Sequence, residues 1–252
     1  MNRVKCALCG EETKLCASHI IPEFFYKSSY QKGKEKLNVI PLGHSQIRYK
    51  QIQQGMNMPL LCSKCEAKFS KYESYFARLT KDKSIWDLGK KISVVSGIEV
   101  RYLSGLNYFN IKYLMLSIIW RMSFPYLGEC LLDLGPYQEK LRDILITEKE
   151  IDERDYPIYF GYFKLNGSPS AVVGSGGFHR NKKQKRNHLI LLNTLGVFAT
   201  IGENSSDEQE DNFILKKDGT CVMMDYELLH SNLFGIYQES IKKISAQRNN
   251  WS

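Results

Sequence analysis

The chain lacks an apolar run of membrane length: nowhere in its 252 residues do roughly 18 uncharged apolar residues follow one another, so no spanning helix is expected. The opening residues, Met1 to Cys6, lack the apolar stretch of a secretory signal, which makes the cytoplasm the expected compartment. There is no internal repeat and no low-complexity tract, so neither a solenoid nor a biased disordered tail is expected. Acidic residues are outnumbered, 27 Asp and Glu against 35 Lys and Arg, for a formal charge of +8. An even cysteine set is lacking too: seven cysteines with no export signal argue against a disulfide framework.

What is present is enough apolar material, 43% of residues, to build a sizeable core. The positive excess is not spread evenly. Residues 1–80 alone hold 13 Lys and Arg against 6 Asp and Glu, which points to a polyanionic partner for that part of the chain. The same part carries two Cys-x-x-Cys pairs, Cys6/Cys9 and Cys62/Cys65. Each pair spans one edge of a tetrahedron, so together they can close a zinc site. Cys16 and His19 are also two residues apart and offer a rival set, Cys3His, with the first pair. The four-cysteine set is preferred because the rival leaves Cys62/Cys65 without a purpose. Cys130 and Cys221 read as small buried thiols in apolar surroundings.

Periodicity sets out the rest. Phe69, Tyr72, Phe76 and Leu79 follow Cys65 at helical spacing. Residues 81–105 read as a connector. A helix apolar nearly all round is expected over 110–124, stopped by Pro125, and a second over 136–146. From Tyr156 onward the pattern turns to strands, expected at 158–165, 170–173, 189–201, 213–217 and 220–226, with a turn at Lys217-Asp218-Gly219 and a closing helix over 228–247. The expected class is α+β, with a metal-stapled unit at 1–80, a connector at 81–105, and a helical plus antiparallel β domain at 106–252 closed by a helix. The run 179–188 carries five cations, among them Lys182, Lys183, Lys185 and Arg186, and suits phosphate tracking.

Residues 1–80 resemble the HNH endonucleases, whose module is a ββα-metal, treble-clef-like finger. Ser18-His19-Ile20-Ile21-Pro22 matches the segment in which a histidine ends the first strand. Asn57 lies five residues before Cys62, and Glu66 directly follows the last cysteine. The form is most similar to a bacterial "Ser-His-Ile-Ile-Pro … Cys-x-x-Cys-Glu" variant, some members of which are thought to act in anti-phage defence. The resemblance implies structural zinc on Cys6, Cys9, Cys62 and Cys65, with His19 as general base and Asn57 orienting its imidazole. It implies Glu66 as ligand of a catalytic Mg²⁺ or Mn²⁺. Ser18 stands where the family usually has a metal-ligating Asp or His. Glu73, seven residues beyond Glu66, lies about 10 Å along the same helix face and is expected to support the site from behind. The implied activity is hydrolysis of phosphodiester bonds in nucleic acid, with double-stranded DNA the expected partner and a homo-oligomer or a defence-system protein as further partners. The alternative is a zinc-dependent nucleic-acid-binding module without catalysis.

Overall fold

The computed structural model describes residues 4–27, 36–41, 50–53, 55–95, 97–126, 129–165, 168–169, 173–180, 185–203, 211 and 213–227. In chain order the elements are β1 (Val4–Lys5), β2 (Glu12–Thr13), β3 (Cys16–His19), a 3-10 turn (Glu23–Phe25), β4 (Lys36–Pro41), β5 (Lys50–Gln53), β6 (Asn57–Leu61) and α1 (Ser63–Leu79). Then come α2 (Ile85–Leu88), β7 (Lys90–Val95), β8 (Ile98–Leu103), α3 (Tyr108–Arg121), β9 (Pro125–Tyr126), β10 (Glu129–Cys130) and α4 (Tyr137–Thr147). The chain continues through β11 (Ile158–Leu165), β12 (Ser168–Pro169), β13 (Val173–Arg180), β14 (Arg186–Leu192), β15 (Leu195–Ile201) and β16 (Cys221–Glu227). No described helix is long and apolar enough to cross a membrane.

The chain forms two compact units. The first holds residues 1–81, 109–151 and 173–175, and the second holds 82–108, 152–172 and 176–252. This division differs from the expected one in two places. The two central helices belong with the segment that carries the cysteine pairs. Residues 81–105, expected as a connector, hold α2, β7 and β8, and 82–108 belong to the second unit.

In the first unit α3 is the core element. Every residue from Ile111 to Arg121 is buried, as a helix apolar all round must be if neighbours cover it on all sides. One stripe of α1, made of Cys65, Phe69, Tyr72 and Phe76, is buried as well. Tyr72 packs on Phe109 and Tyr113 at ring distances of 5.8 and 5.4 Å, and Phe69 meets Trp120 edge-on at 6.4 Å. Each such ring, withdrawn from water, stabilises the fold by roughly 1.5–3 kcal/mol. The end of α4 is capped from outside. Lys68 donates to the carbonyls of Leu145 and Ile146, Tyr113 donates to that of Lys149, and Glu148 takes the left-handed conformation at φ 51°. These donors satisfy carbonyls that a helix terminus leaves bare. Among the strands, β3 pairs antiparallel with β6, β4 pairs antiparallel with β5, and Val173–Ser175 of β13 run parallel to β4.

The second unit is built on a run of six neighbouring sheet strands in the order β14-β15-β11-β16-β8-β7, with β12 also paired to β11. All neighbours are antiparallel except β11 and β16, which run parallel, so the expected wholly antiparallel region is corrected. Parallel neighbours cannot be joined by a tight turn. The chain between them carries β12 to β15, and before β16 residues 213–217, expected as a strand, contribute to the sheet a bridge from Ile214 to Tyr159 and a bond from the Leu215 N–H to the Ile158 carbonyl. The expected single strand at 189–201 is two strands of a hairpin, since Asn193 adopts φ 63° and reverses the chain between Leu192 and Leu195. Of the expected strand at 170–173, Val173 opens β13; residues 170–172, like the closing helix at 228–247, lie outside the described residues.

At the turn before β16, Gly219 has φ +79°, and a Cβ placed there would stand 2.0 Å from the Leu106 carbonyl oxygen. The Leu106 N–H donates to the Gly219 carbonyl at 3.0 Å, so the two backbones cannot separate without losing that bond. Gly219→Ala should therefore destabilise the second unit by more than the roughly 1–3 kcal/mol of a left-handed alanine alone. Denaturant unfolding checks this, and an unchanged midpoint would contradict it.

Candidate functional site

The Cys6–Cys9 turn is closed by its own main chain. The Cys6 N–H donates to the Glu11 carbonyl and the Gly10 N–H to the Cys6 carbonyl, both at 2.9 Å. Gly10 sits at φ +77°, a conformation glycine adopts without steric cost. The Ala7 N–H then reaches the Leu60 carbonyl at 3.0 Å, while Arg142 of α4 donates to the Ala7 carbonyl at 3.1 Å. The first pair is thereby docked on the end of β6, where α1 begins. Cys62 caps that helix and Cys65 lies in its first turn.

The sulfurs of Cys6, Cys9, Cys62 and Cys65 all lie within 4.8 Å of one another, and Cys9 and Cys62 are 3.8 Å apart. Four thiolates each about 2.3 Å from one tetrahedral ion stand roughly 3.8 Å from each other, so donor type and spacing suit a metal such as zinc. The Cys62 N–H donates to Cys6 Sγ at 3.3 Å. Burial opposes ionisation of Cys6, but main-chain hydrogen bonds from Cys9, Cys62 and Leu8 outweigh it and bring the thiol down to about 7. Cys65 is pushed up by burial and then by its crowding against Cys62 and Cys6, and burial is also the main influence raising Cys9. Such a cluster is short of positive charge, which a divalent cation supplies. Cys16, on β3, is outside it, so the sulfurs that converge are those of the four-cysteine set.

His19, half-buried, is the last residue of β3 and stands opposite Asn57, the first residue of β6. Ser18 is fully buried. Its Oγ accepts from the Leu61 N–H at 3.0 Å and donates to the Cys16 carbonyl at 3.5 Å, spanning the register shift between Cys16 and Ala17. That hydroxyl stabilises the pairing of β3 with β6. Glu66 lies in the first turn of α1 with its Oε1 buried and without a hydrogen-bond partner. A carboxylate oxygen in that state is costly unless a donor or cation meets it. Glu73 pairs with Arg121 at 2.9 Å. Among the described residues the four cysteines are the one group of three or more potential metal ligands that converges, so His19 and Glu66 are not brought into a second such group.

Of the expected basic run, Lys182 and Lys183 lie outside the described residues. Lys185 and Arg186 are half-buried at the start of β14, where Arg186 pairs with Ile201. Cys221 is buried, which pushes its thiol up, whereas Cys130 is exposed, contrary to expectation. The short β9–β10 hairpin carries Cys130 out of the core that its apolar neighbours suggested. Sequence reasoning missed Arg121, which donates to the His19 carbonyl at 2.6 Å. Its signal was a guanidinium at the end of a mostly apolar helix whose other charged residue is Lys112. Comparisons with protein-family models, curated proteins and solved structures give no match.

Metal-free protein titrated with Zn²⁺ should take up one ion per chain, with a transition temperature that rises on binding. Cys62→Ser should abolish the uptake and unfold the first unit, because structural zinc contributes on the order of 10 kcal/mol to modules of this size. Elemental analysis and circular dichroism read both effects, and an unchanged fold in that variant would refute the role.

Proposed function

We propose that the first unit is an HNH-type nuclease module, a metal-dependent endonuclease acting on nucleic acid, double-stranded DNA in particular, and serving in anti-phage defence. The observation that carries the reading is the antiparallel pair of β3 and β6, which bears His19 opposite Asn57 at one end and is followed by α1, whose N-cap and first turn hold two of the clustered cysteines and Glu66. A strand pair followed by a helix, with four sulfurs gathered at their junction, supports the reading.

In this reading the cysteines hold zinc as a structural tie. Glu66 offers its unpartnered oxygen to Mg²⁺ or Mn²⁺, which when bound supplies positive charge for the phosphate and leaving oxygen. Magnesium commonly binds through one or two carboxylates with waters and substrate phosphates filling the other positions, so a single protein carboxylate is not disqualifying. His19 takes the proton of the attacking water as a neutral imidazole, and Asn57 orients the ring. The basic residues Lys182, Lys183, Lys185 and Arg186 track the backbone. The second reading, a zinc-dependent nucleic-acid-binding module, draws on Ser18, whose hydroxyl is committed to the Leu61 N–H instead of a metal.

Cleavage of plasmid DNA and of RNA with Mg²⁺ or Mn²⁺ separates the two. His19→Ala should lower the rate by about 10² to 10⁴ while zinc content and nucleic-acid binding persist. Glu66→Ala should lose activity that higher metal concentration partly restores. Zinc loss from His19→Ala, or a wild type that cuts neither nucleic acid, overturns the enzyme reading.

Binding to duplex DNA should weaken steeply with salt. Neutralising Lys182, Lys183, Lys185 and Arg186 together should flatten the slope by up to about four phosphate contacts. An unchanged slope would remove this run from the interface.

A further inference from the structure

Arg121 ends α3 with only 1% of its side chain surface exposed. Its guanidinium is nevertheless well supplied with partners. Nε donates to the Ser117 carbonyl at 3.2 Å, one terminal nitrogen donates to the His19 carbonyl at 2.6 Å, and the other reaches Glu73 Oε1 at 2.9 Å and Ser117 Oγ at 3.3 Å. The group also lies over the Phe69 ring, 5.4 Å from its centre. A buried ion pair of this kind is seldom worth more to stability than a well-packed apolar side chain of similar volume. Stability alone is a weak reason to find one here.

What the contacts do is local and geometric. β3 and β6 form a two-stranded ladder, marginal by itself and prone to fray at its ends, and His19 is at such an end. The peptide that follows His19 is held from both sides: Arg121 takes its carbonyl, and the Ile20 N–H donates to the Met56 carbonyl at 2.8 Å. With the β3–β6 ladder holding Ser18 and His19 on the other side, pinning that rigid peptide plane restricts rotation about the His19 Cα–C bond and so steadies the direction in which its side chain leaves the backbone. Glu73 in turn holds the guanidinium in place through the charge-assisted bond.

We propose that Arg121 is a positioning residue for His19, with Glu73 as its anchor, so that α3 sets the aim of the imidazole. The inference rests on the nuclease reading for its catalytic consequence but not for the tether itself. The test uses the full chain loaded with zinc and reads two quantities, amide hydrogen exchange at Ile20 and steady-state cleavage of DNA. In Arg121→Met the Ile20 amide should exchange at least about tenfold faster while amides within α1 keep their protection. Its kcat should fall about 10²-fold at a nearly unchanged KM, the cost of a small misplacement of a reacting group. Arg121→Lys keeps the charge but cannot bond His19 and Glu73 as a planar fork does, so it should recover only part of both quantities. Glu73→Gln should shift both in the same direction by less. Should Arg121→Met not fold, these two variants give the same readouts. Wild-type exchange at Ile20 in the variants, or equal acceleration throughout α1, overturns the tether. Faster Ile20 exchange with wild-type kcat overturns the positioning role. A wild type without cleavage activity refutes the nuclease reading, while the Ile20 exchange still decides the tether.

Discussion

The first unit depends on bringing Cys6 and Cys9 against Cys62 and Cys65, more than fifty residues later in the chain. Around that junction the regular structure is slight: a two-residue ladder of β1 and β2, and the short pair of β3 and β6. Ladders of this length do not stand alone in water. Their ends are gathered by the knuckle's own hydrogen bonds, by the Cys62 N–H on Cys6 Sγ, and by four sulfurs spaced for one tetrahedral ion. Closing so long a loop carries an entropic cost that an ion held by those four sulfurs would offset.

The second support of this unit is α3. The aromatic stack of Tyr72, Phe109 and Tyr113 joins α1 to it, and the Tyr113 hydroxyl reaches the carbonyls at the end of α4. Arg121 introduces a charge into that apolar setting and is satisfied by Ser117, Glu73 and the His19 carbonyl. The helix therefore serves two ends of the site differently. Its apolar face stabilises the helix that carries the second cysteine pair, and its last residue holds the strand end that carries the histidine.

Much of this was legible from local pattern. The two cysteine pairs, the stripe Phe69, Tyr72 and Phe76, the apolar helix ending before Pro125 and the strand at Ile158–Leu165 each announce themselves within a short window. What failed to show was whatever depends on a partner distant in sequence. The run from Leu189 to Ile201 looks continuous because β14 and β15 are both buried, and a buried hairpin has no alternation to mark its bend; only Asn193 hints at it. Residues 81–105 looked like a linker because α2 is one turn long and the exposed Ile92 and Val94 of edge strand β7 blur its pattern. Yet Trp86 stacks on Tyr162 at 4.9 Å under the Arg101 guanidinium, a contact between parts of the second unit far apart in the chain.

By itself the sequence determined the donor chemistry: four thiols in pairs, a histidine before Ile-Ile-Pro, a glutamate after the last cysteine and a basic excess around them. It did so because metal-ligand spacing and helical periodicity are local properties of a chain. The tertiary structure alone decided which sulfurs meet, that Ser18 turns inward onto the Leu61 N–H, that Glu73 is claimed by Arg121, and that β16 lies parallel to β11. Each of these is a pairing across dozens of residues, settled by which arrangement buries the apolar faces while leaving the fewest polar groups without partners.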